Sequence, residues 1–511
     1  MIRNRSLLFL TLLVSGCTVG PDFKPPIVSV PKQWTDDPTI NRAAIPQAQQ
    51  DQWWKSFKDP VLDRLINDAI AANLDLKQAL VRVKEARAQR WITITAGLPT
   101  VTGKSTASRR LNNYSSSTPA GGTSSAGGTS SAGGGGFGFG DQVINIFQMG
   151  FDAQWEMDFF GGIRRGIEAA DANVDSEVEN SRNVLITLLG EVASNYIQLR
   201  ANQQLIAITQ ENLDSQQETA RLTEIRKLAG FASLLEVAQA QSQAATTESF
   251  LPTYKTVVQQ SIHSLGVLLG RQPDALAVRL DKPEAIPAMP TIVLSELPSE
   301  LLLRRPDIRQ AERKIAEANA NIGVATAELY PRANLSAFLG LQNTRITDFT
   351  PIGKSWSTAS SLTLPIFNWG KINANIKSKQ AQHELAFLSY QSTVLTAFKE
   401  VEDALVAYMN ELQRQKSLTE AVSASQLAVE MANERYSNGL TMFLDVLQAQ
   451  EALFQTQRNL VDSKAELSTD LVALYKALGG GWETEASVSE AVEMKPEKGM
   501  WLEGIYTNKF K

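Results

Sequence analysis

A period of two governs the residues from Phe147 to Phe159. Apolar side chains alternate there with polar or glycine positions, and the apolar set is Phe147, Met149, Phe151, Ala153, Trp155, Met157 and Phe159. Such alternation predicts a β-strand with one face toward lipid and the other toward water, as in the wall of a transmembrane barrel. A half-buried strand of a β-sandwich alternates as well, although seldom over so many residues.

Weaker patterns predict three partner strands for this one. The four predicted strands cover about 99–114, 142–160, 332–346 and 355–367. The last of them places Leu362, Leu364 and Ile366 on one face.

A helical period dominates the rest of the chain. Neither Gly nor Pro occurs between Lys371 and Asn438. An uninterrupted helix over that stretch would span about 100 Å. Leucines follow at a spacing of seven, and the matching positions of an earlier segment are also apolar: Leu453, Leu460, Leu467 and Leu474, with Leu251, Val258 and Leu265. Helices of this length with a heptad seam pack side by side, in a coiled coil or a tube.

The chain contains an internal repeat. Gly230–Gln241 matches Gly439–Gln450 at an offset of 209 residues, and Asp75–Ala79 matches Asp307–Ala311 at an offset of 232. A Gly- and Ser-rich tract, Ser115–Gly140, accounts for the extra length of the first half. Each half is therefore predicted to run helix, strand, loop, strand, long helix, tip turn and helix.

The repeat divides the chain into segments. We predict a signal peptide at 1–16, a lipidated extended segment at 17–60, a first repeat at 61–270, a linker at 271–297, a second repeat at 298–480 and a C-terminal tail at 481–511, which we expect at the equator of the tube.

Two hairpins give four strands per chain, too few to close a barrel. An open sheet edge in hydrocarbon leaves backbone groups unpaired, so closure requires further copies. A dimer of eight strands would only just close, whereas a trimer of twelve leaves a lumen. The physics of the sequence alone leaves both open.

The N-terminus carries an export signal. Arg3 and Arg5 precede an apolar run from Leu7 to Val14, and Ser15-Gly16-Cys17 follows. The segment Leu13–Cys17 resembles a bacterial lipobox, which predicts acylation of Cys17, and Thr18 in place of Asp indicates sorting to the outer membrane. A signal peptide that merely contains a cysteine is the alternative.

Composition and motifs contain no catalytic constellation. Hydrophobic residues make up 43% and charged residues 20% of the 511, with a net charge of -5, which argues against a nucleic-acid partner. The two histidines, His263 and His383, stand apart within predicted helices, so no metal site is expected. Past the first twenty residues no apolar run is long enough for a membrane helix, so strands must make any crossing. We predict a protein that is not an enzyme and has no cofactor beyond the covalent lipid.

Several motifs resemble the outer-membrane factors of tripartite efflux systems. These are typified by TolC and, for the lipoprotein branch, by OprM, CusC and NodT. The motifs are Cys17–Phe23, Trp53–Pro60, Leu302–Arg309, Leu364–Gly370 and the repeated tip segments. The resemblance implies a mainly α fold with a transmembrane β-barrel: a homotrimer with one twelve-stranded barrel on a long periplasmic α-helical barrel. Implied partners are a periplasmic adaptor, an inner-membrane RND transporter and outer-membrane lipid.

The tip turns hold the candidate gate residues. The resemblance implies an acidic ring at Asp445 and a hydrogen-bonding tyrosine at Tyr436, while Glu236 occupies the equivalent of Asp445 in the first repeat. The chain departs from the family at Gln448, where a second acid is common, and at Thr441, where an arginine is common. A simpler interpretation is that Asp445 and Glu236 favour the positive ends of the helices that follow Gly439 and Gly230.

These features together predict a passive, gated duct that exports small molecules such as drugs from an RND pump across the outer membrane. Metal-ion efflux and type I secretion are alternatives within the same family. A lipid-anchored coiled-coil scaffold without a pore is the alternative from another class, and an envelope hydrolase would require paired acids in a cleft.

Overall fold

The computed structural model describes residues 18–27, 51–112, 142–287, 304–346 and 354–485. Short 3-10 turns at Trp53–Phe57 and Trp482–Glu485 flank the regular elements. Those elements are α1 Pro60–Ala72, α2 Leu74–Thr95, β1 Thr100–Asn112, β2 Gln142–Met157, α3 Gly162–Leu228, α4 Leu234–Glu248, α5 Phe250–Leu268, α6 Ala277–Leu280, α7 Pro306–Ala327, β3 Arg332–Asn343, β4 Lys354–Thr363, α8 Lys371–Ser437 and α9 Phe443–Ala477.

The elements recur at the two offsets of the sequence repeat. Helices α2 and α7 each have 22 residues, and their starts are related by the larger offset. Helices α3 and α8 each have 67 residues, and their starts are related by the smaller offset. Both long helices end just before a glycine with positive φ, Gly230 at 81° and Gly439 at 71°, which glycine adopts at little cost. The long uninterrupted helix predicted after Lys371 is confirmed.

The two halves differ after their tip turns. The second half continues in one helix, α9, whereas the first half has two, α4 and α5. Pro252 has no N–H to donate to the carbonyl of Glu248, which explains a break at this point. The predicted linker, 271–297, contains the short helix α6, and the first helix begins at Pro60, the last residue of the predicted N-terminal segment.

The four strands form one antiparallel sheet in the order β1-β2-β3-β4. Three of them end earlier than the periodicity predicts. Strand β2 stops at Met157 because Asp158 turns to accept a hydrogen bond from the backbone N of Arg164, 2.9 Å away, at the start of α3. Strand β3 stops at Asn343, whose side chain accepts from the N of Thr344 at 3.2 Å.

Strand β4 differs most from its predicted length. The pattern predicts a strand as far as residue 367, but β4 ends at Thr363. Pro365 cannot donate to a ladder, so Leu364 and Ile366 leave the sheet. For β1, predicted at about 99–114, the structure gives Thr100–Asn112, and residues 113 and 114 lie outside the described part.

The chain divides into two compact units. The sheet unit comprises Met1–Phe23, Gln89–Ala170 and Ala318–Ala381. The helical unit comprises Lys24–Ala88, Asp171–Glu317 and Gln382–Lys511. The division falls inside helices α2, α3, α7 and α8.

The helical unit has a large apolar core. Trp53 stacks on Tyr475, with ring centroids 5.4 Å apart and planes inclined by 15°. The heptad positions Leu265, Leu467 and Leu474 are buried, as a side-by-side packing of helices requires. Burial of these side chains supplies the main stabilisation of the unit.

A buried arginine joins three helices of the helical unit. The guanidinium of Arg305 donates to Asp307 at 2.7 and 3.0 Å, to Glu400 at 2.7 Å and to the carbonyl of Ala477 at 2.8 Å. Pro306 opens α7 and Asp307 lies in its first turn, where a negative charge favours the helix. The predicted helix start at this motif is confirmed, and Arg305 adds a link to α8 and α9.

Candidate functional site

One face of the sheet is apolar and exposed in the single chain. Phe151 pairs with Leu339, and Leu339 pairs with Trp356 on the next strand. These side chains are 63%, 67% and 73% exposed, and Val101 on β1 is 67% exposed. In a water-soluble protein, another layer of the structure would cover these apolar side chains. In the wall of a transmembrane barrel they face lipid.

The opposite face is polar. Asp152 pairs with Thr102, and the Nζ of Lys104 lies 4.0 Å from its carboxylate. Gln154 pairs with Ser336 on the same face. An exposed ion pair of this kind contributes little to stability. The charged and polar side chains suit this face to contact with water.

One aromatic ring interrupts the polar face. Phe338 is only 8% exposed. Its ring covers the cross-strand pair Gly150 and Gly340, and a Cβ on either glycine would lie 2.7 Å from the ring. The two glycines therefore make room for the ring, which covers backbone that would otherwise lack side-chain packing.

The sheet has two open edges. Within the described residues β1 pairs only with β2, and β4 pairs only with β3. An open edge presents a row of N–H and C=O groups that another strand can pair with.

The first tip turn places Glu236 in the first turn of α4. Ser233 is the N-cap of this helix, and its Oγ accepts from the backbone N of Glu236 at 3.2 Å. The hydroxyl of Tyr436, at the end of α8, donates to Oε2 of Glu236 at 3.3 Å. The structure thus brings together two predicted gate residues from different halves of the repeat.

The same tyrosine has further contacts. The guanidinium of Arg226 lies over its ring, 4.5 Å from the centroid, and Phe443 packs against it at 5.3 Å. Burial raises the pKa of Tyr436 above its usual value, so the hydroxyl stays a donor at physiological pH. Sequence reasoning missed Arg226; its position in the last turn before Gly230, across from an acid, was the available signal.

The second tip turn places Asp445 in the first turn of α9, exposed. The hydroxyl of Thr441 donates to its carboxylate. Gln448 is exposed one turn later. Among the described residues, Asp445 bonds to Thr441 and not to Tyr436 or Glu236. Both acids occupy first turns, where the helix dipole favours a negative charge, and an acidic ring between copies stays a prediction.

The N-terminal segment 18–27 is held in the sheet unit by a buried arginine. Arg165 has a side chain that is only 5% exposed. It donates to the carbonyls of Val19 and Gly20 at 3.1 and 3.3 Å, and to Asp22 at 2.6 Å. Sequence reasoning did not find this contact, because 143 residues separate Asp22 from Arg165.

The close fit of this segment depends on glycine. Gly20 has a φ of +93°, and a Cβ there would lie 2.5 Å from the Cα of Gly323. The N of Val19 donates to the carbonyl of Phe160 at 3.2 Å, near the end of β2. Cys17, the predicted lipidation site, lies outside the described residues, as do 486–511 of the predicted tail.

The described residues contain neither a metal-binding group of side chains nor a membrane-spanning helix. No group of acidic, histidine or cysteine side chains in the described ranges is placed to hold a metal ion. No helix of the described part combines the length and the apolar character needed to cross a membrane.

The chain is similar to known channel proteins along most of its length. Residues 65–271 and 297–480 match the family described as outer membrane efflux protein. It is 33% identical to solvent efflux pump outer membrane protein SrpC of Pseudomonas putida over 492 residues, which cover 93% of this chain and 97% of that protein. It is 31% identical to nodulation protein T of Rhizobium leguminosarum bv. viciae over 473 residues, 93% of this chain and 92% of that protein.

A solved structure has the same fold. The outer-membrane channel OprN superposes with a TM-score of 0.82 at 32% identity, over 91% of this chain and 100% of that chain. The predicted fold class, a mainly helical channel whose β-barrel takes four strands from each chain, is confirmed. The chain therefore belongs to the outer membrane efflux protein family and is the outer-membrane channel component of an efflux system.

Proposed function

We propose that the chain forms a homotrimeric, gated exit duct that is anchored by a lipid on Cys17. It would receive small toxic molecules from an inner-membrane RND transporter through a periplasmic adaptor. The observation that carries this proposal is the four-stranded sheet with an apolar exposed face and two open edges.

The open edges require other copies. In hydrocarbon, each unpaired backbone group costs several kcal/mol. Pairing β4 of one copy with β1 of the next removes every edge and continues the antiparallel order. Three copies give twelve strands, which leave a water-filled lumen lined by the face of Asp152 and Gln154, whereas the interior of an eight-stranded barrel is filled by side chains.

The helix tips are the proposed gate. The bond between Tyr436 and Glu236 links the end of α8 to the start of α4, so it opposes separation of the two tip turns. Asp445 and Gln448 would face their counterparts in the other copies, where Asp445 would form a cation-binding ring. Gln448 carries no charge, so this proposal includes one acidic ring and not two.

The placement of the N-terminal segment supports a lipid anchor on Cys17. Arg165 holds residues 19–22 in the same unit as the sheet. Cys17 precedes this segment directly, so an acyl group on its thiol would insert in the membrane that the sheet crosses. Each buried CH₂ of such a chain contributes about 0.8 kcal/mol.

The cargo we assign is small apolar organic molecules. SrpC is named for solvent efflux, and the similarly related TtgI of Pseudomonas putida is named for toluene. CusC of Escherichia coli, at 29% identity, is named for cation efflux. The test is a strain lacking the gene, restored with the wild-type chain or an empty vector, and challenged with organic solvents, antibiotics and copper salts in parallel. Restored solvent tolerance supports the assignment, and rescue against copper alone overturns it.

Duct formation is tested with purified protein. Native mass spectrometry should give three chains per particle, and reconstitution in planar bilayers should give discrete ion-conducting steps. A folded trimer without conductance would favour the scaffold interpretation. Mass spectrometry of the N-terminal peptide tests the lipid, since acylated Cys17 adds a diacylglyceryl mass, and replacement of Cys17 with Ala should abolish that mass.

A further inference from the structure

The chain leaves one aromatic corner uncovered. After β4 the backbone turns into α8 through Trp369, with a φ of 54°, and Gly370, with a φ of 78°. Ile366, Phe367 and Trp369 are 91%, 74% and 89% exposed. A Cβ built on Gly370 has no atom within 4 Å. Large apolar side chains grouped in this way mark a contact surface.

The corresponding corner of the first repeat is covered. Phe160 and Gly161 are related to Trp369 and Gly370 by the smaller offset of the repeat, and Gly161 has a φ of 80°. Phe160 stacks on Tyr330, with ring centroids 4.7 Å apart and planes inclined by 22°. Tyr330 belongs to the turn between α7 and β3. The corner of repeat one thus packs on the helix-to-strand turn of repeat two.

Repeat symmetry identifies the missing counterpart. The larger offset relates Tyr330 to Leu98, in the turn between α2 and β1. Leu98 is half-buried in the single chain. It precedes β1, at the opposite edge of the sheet from β4. Trp369 can therefore meet a Leu98 turn next to its own strand only if a second copy supplies it.

The strand registers show that the symmetry holds to the residue. Thr100 of β1 pairs with Gln154 of β2. The larger offset takes Thr100 to Arg332, and the smaller offset takes Gln154 to Thr363. Arg332 and Thr363 are themselves partners in β3 and β4. The hairpins of the two repeats therefore have the same register. The pairing of β2 with β3 can then serve as the template for the pairing of β4 with β1 of a second copy.

The same shifts predict the register between copies. Ala153 and Ala337 are partners in β2 and β3. The smaller offset takes Ala153 forward to Leu362, and the larger offset takes Ala337 back to Ser105. Leu362 lies on the apolar face, being the partner of Ala333, and Ser105 is the partner of Met149 on the same face. The register thus joins apolar face to apolar face, which a shift by one residue would not do.

We propose that the Trp369–Gly370 corner is a subunit-docking site whose occupant is the Leu98 turn of a second copy. The proposal rests on the oligomeric channel described above and names the contact that closes it. The indole of Trp369 packs on Leu98 of the partner subunit as Phe160 packs on Tyr330, and β4 pairs with β1 of the partner subunit so that Leu362 faces Ser105 of the partner subunit.

Cysteine cross-linking in outer membranes tests the contact. The only native cysteine is Cys17, so a double variant Leu98→Cys and Trp369→Cys introduces one new pair. With a short bismaleimide it should give covalent dimers and trimers on denaturing gels, which wild type and each single variant should not. The matched control, Phe160→Cys with Tyr330→Cys, should cross-link within one chain and stay at monomer size.

The outcomes separate this proposal from the duct itself. If the Leu98 and Trp369 pair does not cross-link in a protein that is trimeric and conducts ions, the docking site is wrong and the duct stands. If the thiol introduced by Trp369→Cys instead reacts with a membrane-soluble maleimide at full yield in the trimer, the corner faces lipid and the proposal is also wrong. A monomer without conductance in the wild type overturns the duct. As a second measurement, Trp369→Ala and Leu98→Ala should each lower the detergent concentration at which the trimer dissociates, and the double variant should lower it no further than the single ones.

Discussion

The contact between Tyr436 and Glu236 can be tested by removing a single oxygen. Tyr436→Phe deletes the hydroxyl that donates to Oε2 of Glu236 at 3.3 Å and keeps the ring against Arg226 and Phe443. Because the bond is long and partly buried, its loss costs about 1 kcal/mol per copy. Glu236 is half-buried, and its Oε1 still accepts from the hydroxyl of Ser233 at 3.3 Å, so its carboxylate keeps a hydrogen-bond partner.

The free-energy changes of the three copies add if the copies open together. Three bonds of about 1 kcal/mol amount to about 3 kcal/mol, which changes the ratio of closed to open channels roughly 100-fold. Tyr436→Ala removes the cation–π contact as well, about 0.5–1 kcal/mol per copy, and should open the channel further. Glu236→Gln keeps an acceptor oxygen and should have a smaller effect than either.

Single-channel recording in planar bilayers measures the open fraction directly. Tyr390→Phe is the matched control, since Tyr390 lies on the same helix, 46 residues before Tyr436. An unchanged open fraction in Tyr436→Phe trimers, or an equal change in Tyr390→Phe trimers, would contradict the role of this bond. A double variant, Tyr436→Phe with Glu236→Gln, should open no more than Tyr436→Phe alone, because without the hydroxyl of Tyr436 the side chain at position 236 has no bond to this ring left to weaken.

Other parts of the molecule give further predictions. Asp445→Ala should raise single-channel conductance and weaken block by divalent cations, and unchanged conductance and block would remove it from the gate. Arg165→Ala should lower the hydrogen-exchange protection of residues 18–22 by about 3 kcal/mol, because the carbonyls of Val19 and Gly20 lose their charged hydrogen-bond donor. Asp22→Ala, at the exposed partner, should cost under about 1 kcal/mol, and equal effects would refute the assignment. Burial and two neighbouring glutamates raise the pKa of Asp470 from 3.8 to about 6, so the folded state binds the proton more tightly than the unfolded state, and stability should fall as the pH rises from about 4 to 6. Thermal melting of Asp470→Asn should show a flatter pH dependence in that range, and an unchanged slope would argue against this role.

Long helices were the most predictable elements. The absence of Gly and Pro after Lys371 predicted a helix, and α8 runs unbroken for 67 residues to Ser437. Each residue of a helix bonds to a neighbour four positions away, so local sequence is enough to set where it starts and stops. The same holds for Pro306, which opens α7 because its missing N–H has no helical partner there.

Strand ends were less predictable for a physical reason. Alternation from Phe147 to Phe159 placed β2 correctly but extended it past Met157. Where a ladder stops depends on the neighbouring strand and on competing bonds, here that of Asp158 to the N of Arg164. Neither the neighbouring strand nor the competing hydrogen bond can be inferred from the alternation of apolar and polar residues.

The sequence by itself determined the repeat, the long helix after Lys371, the presence of four strands, and hence the need for other copies, because all of these follow from local periodicity and from the cost of unpaired backbone. Only the tertiary structure decided which distant side chains meet. Tyr436 reaches Glu236 across 200 residues, and Arg165 holds Asp22 across 143. Such contacts depend on how the helices pack and on where a turn delivers the chain, and no local pattern contains that information.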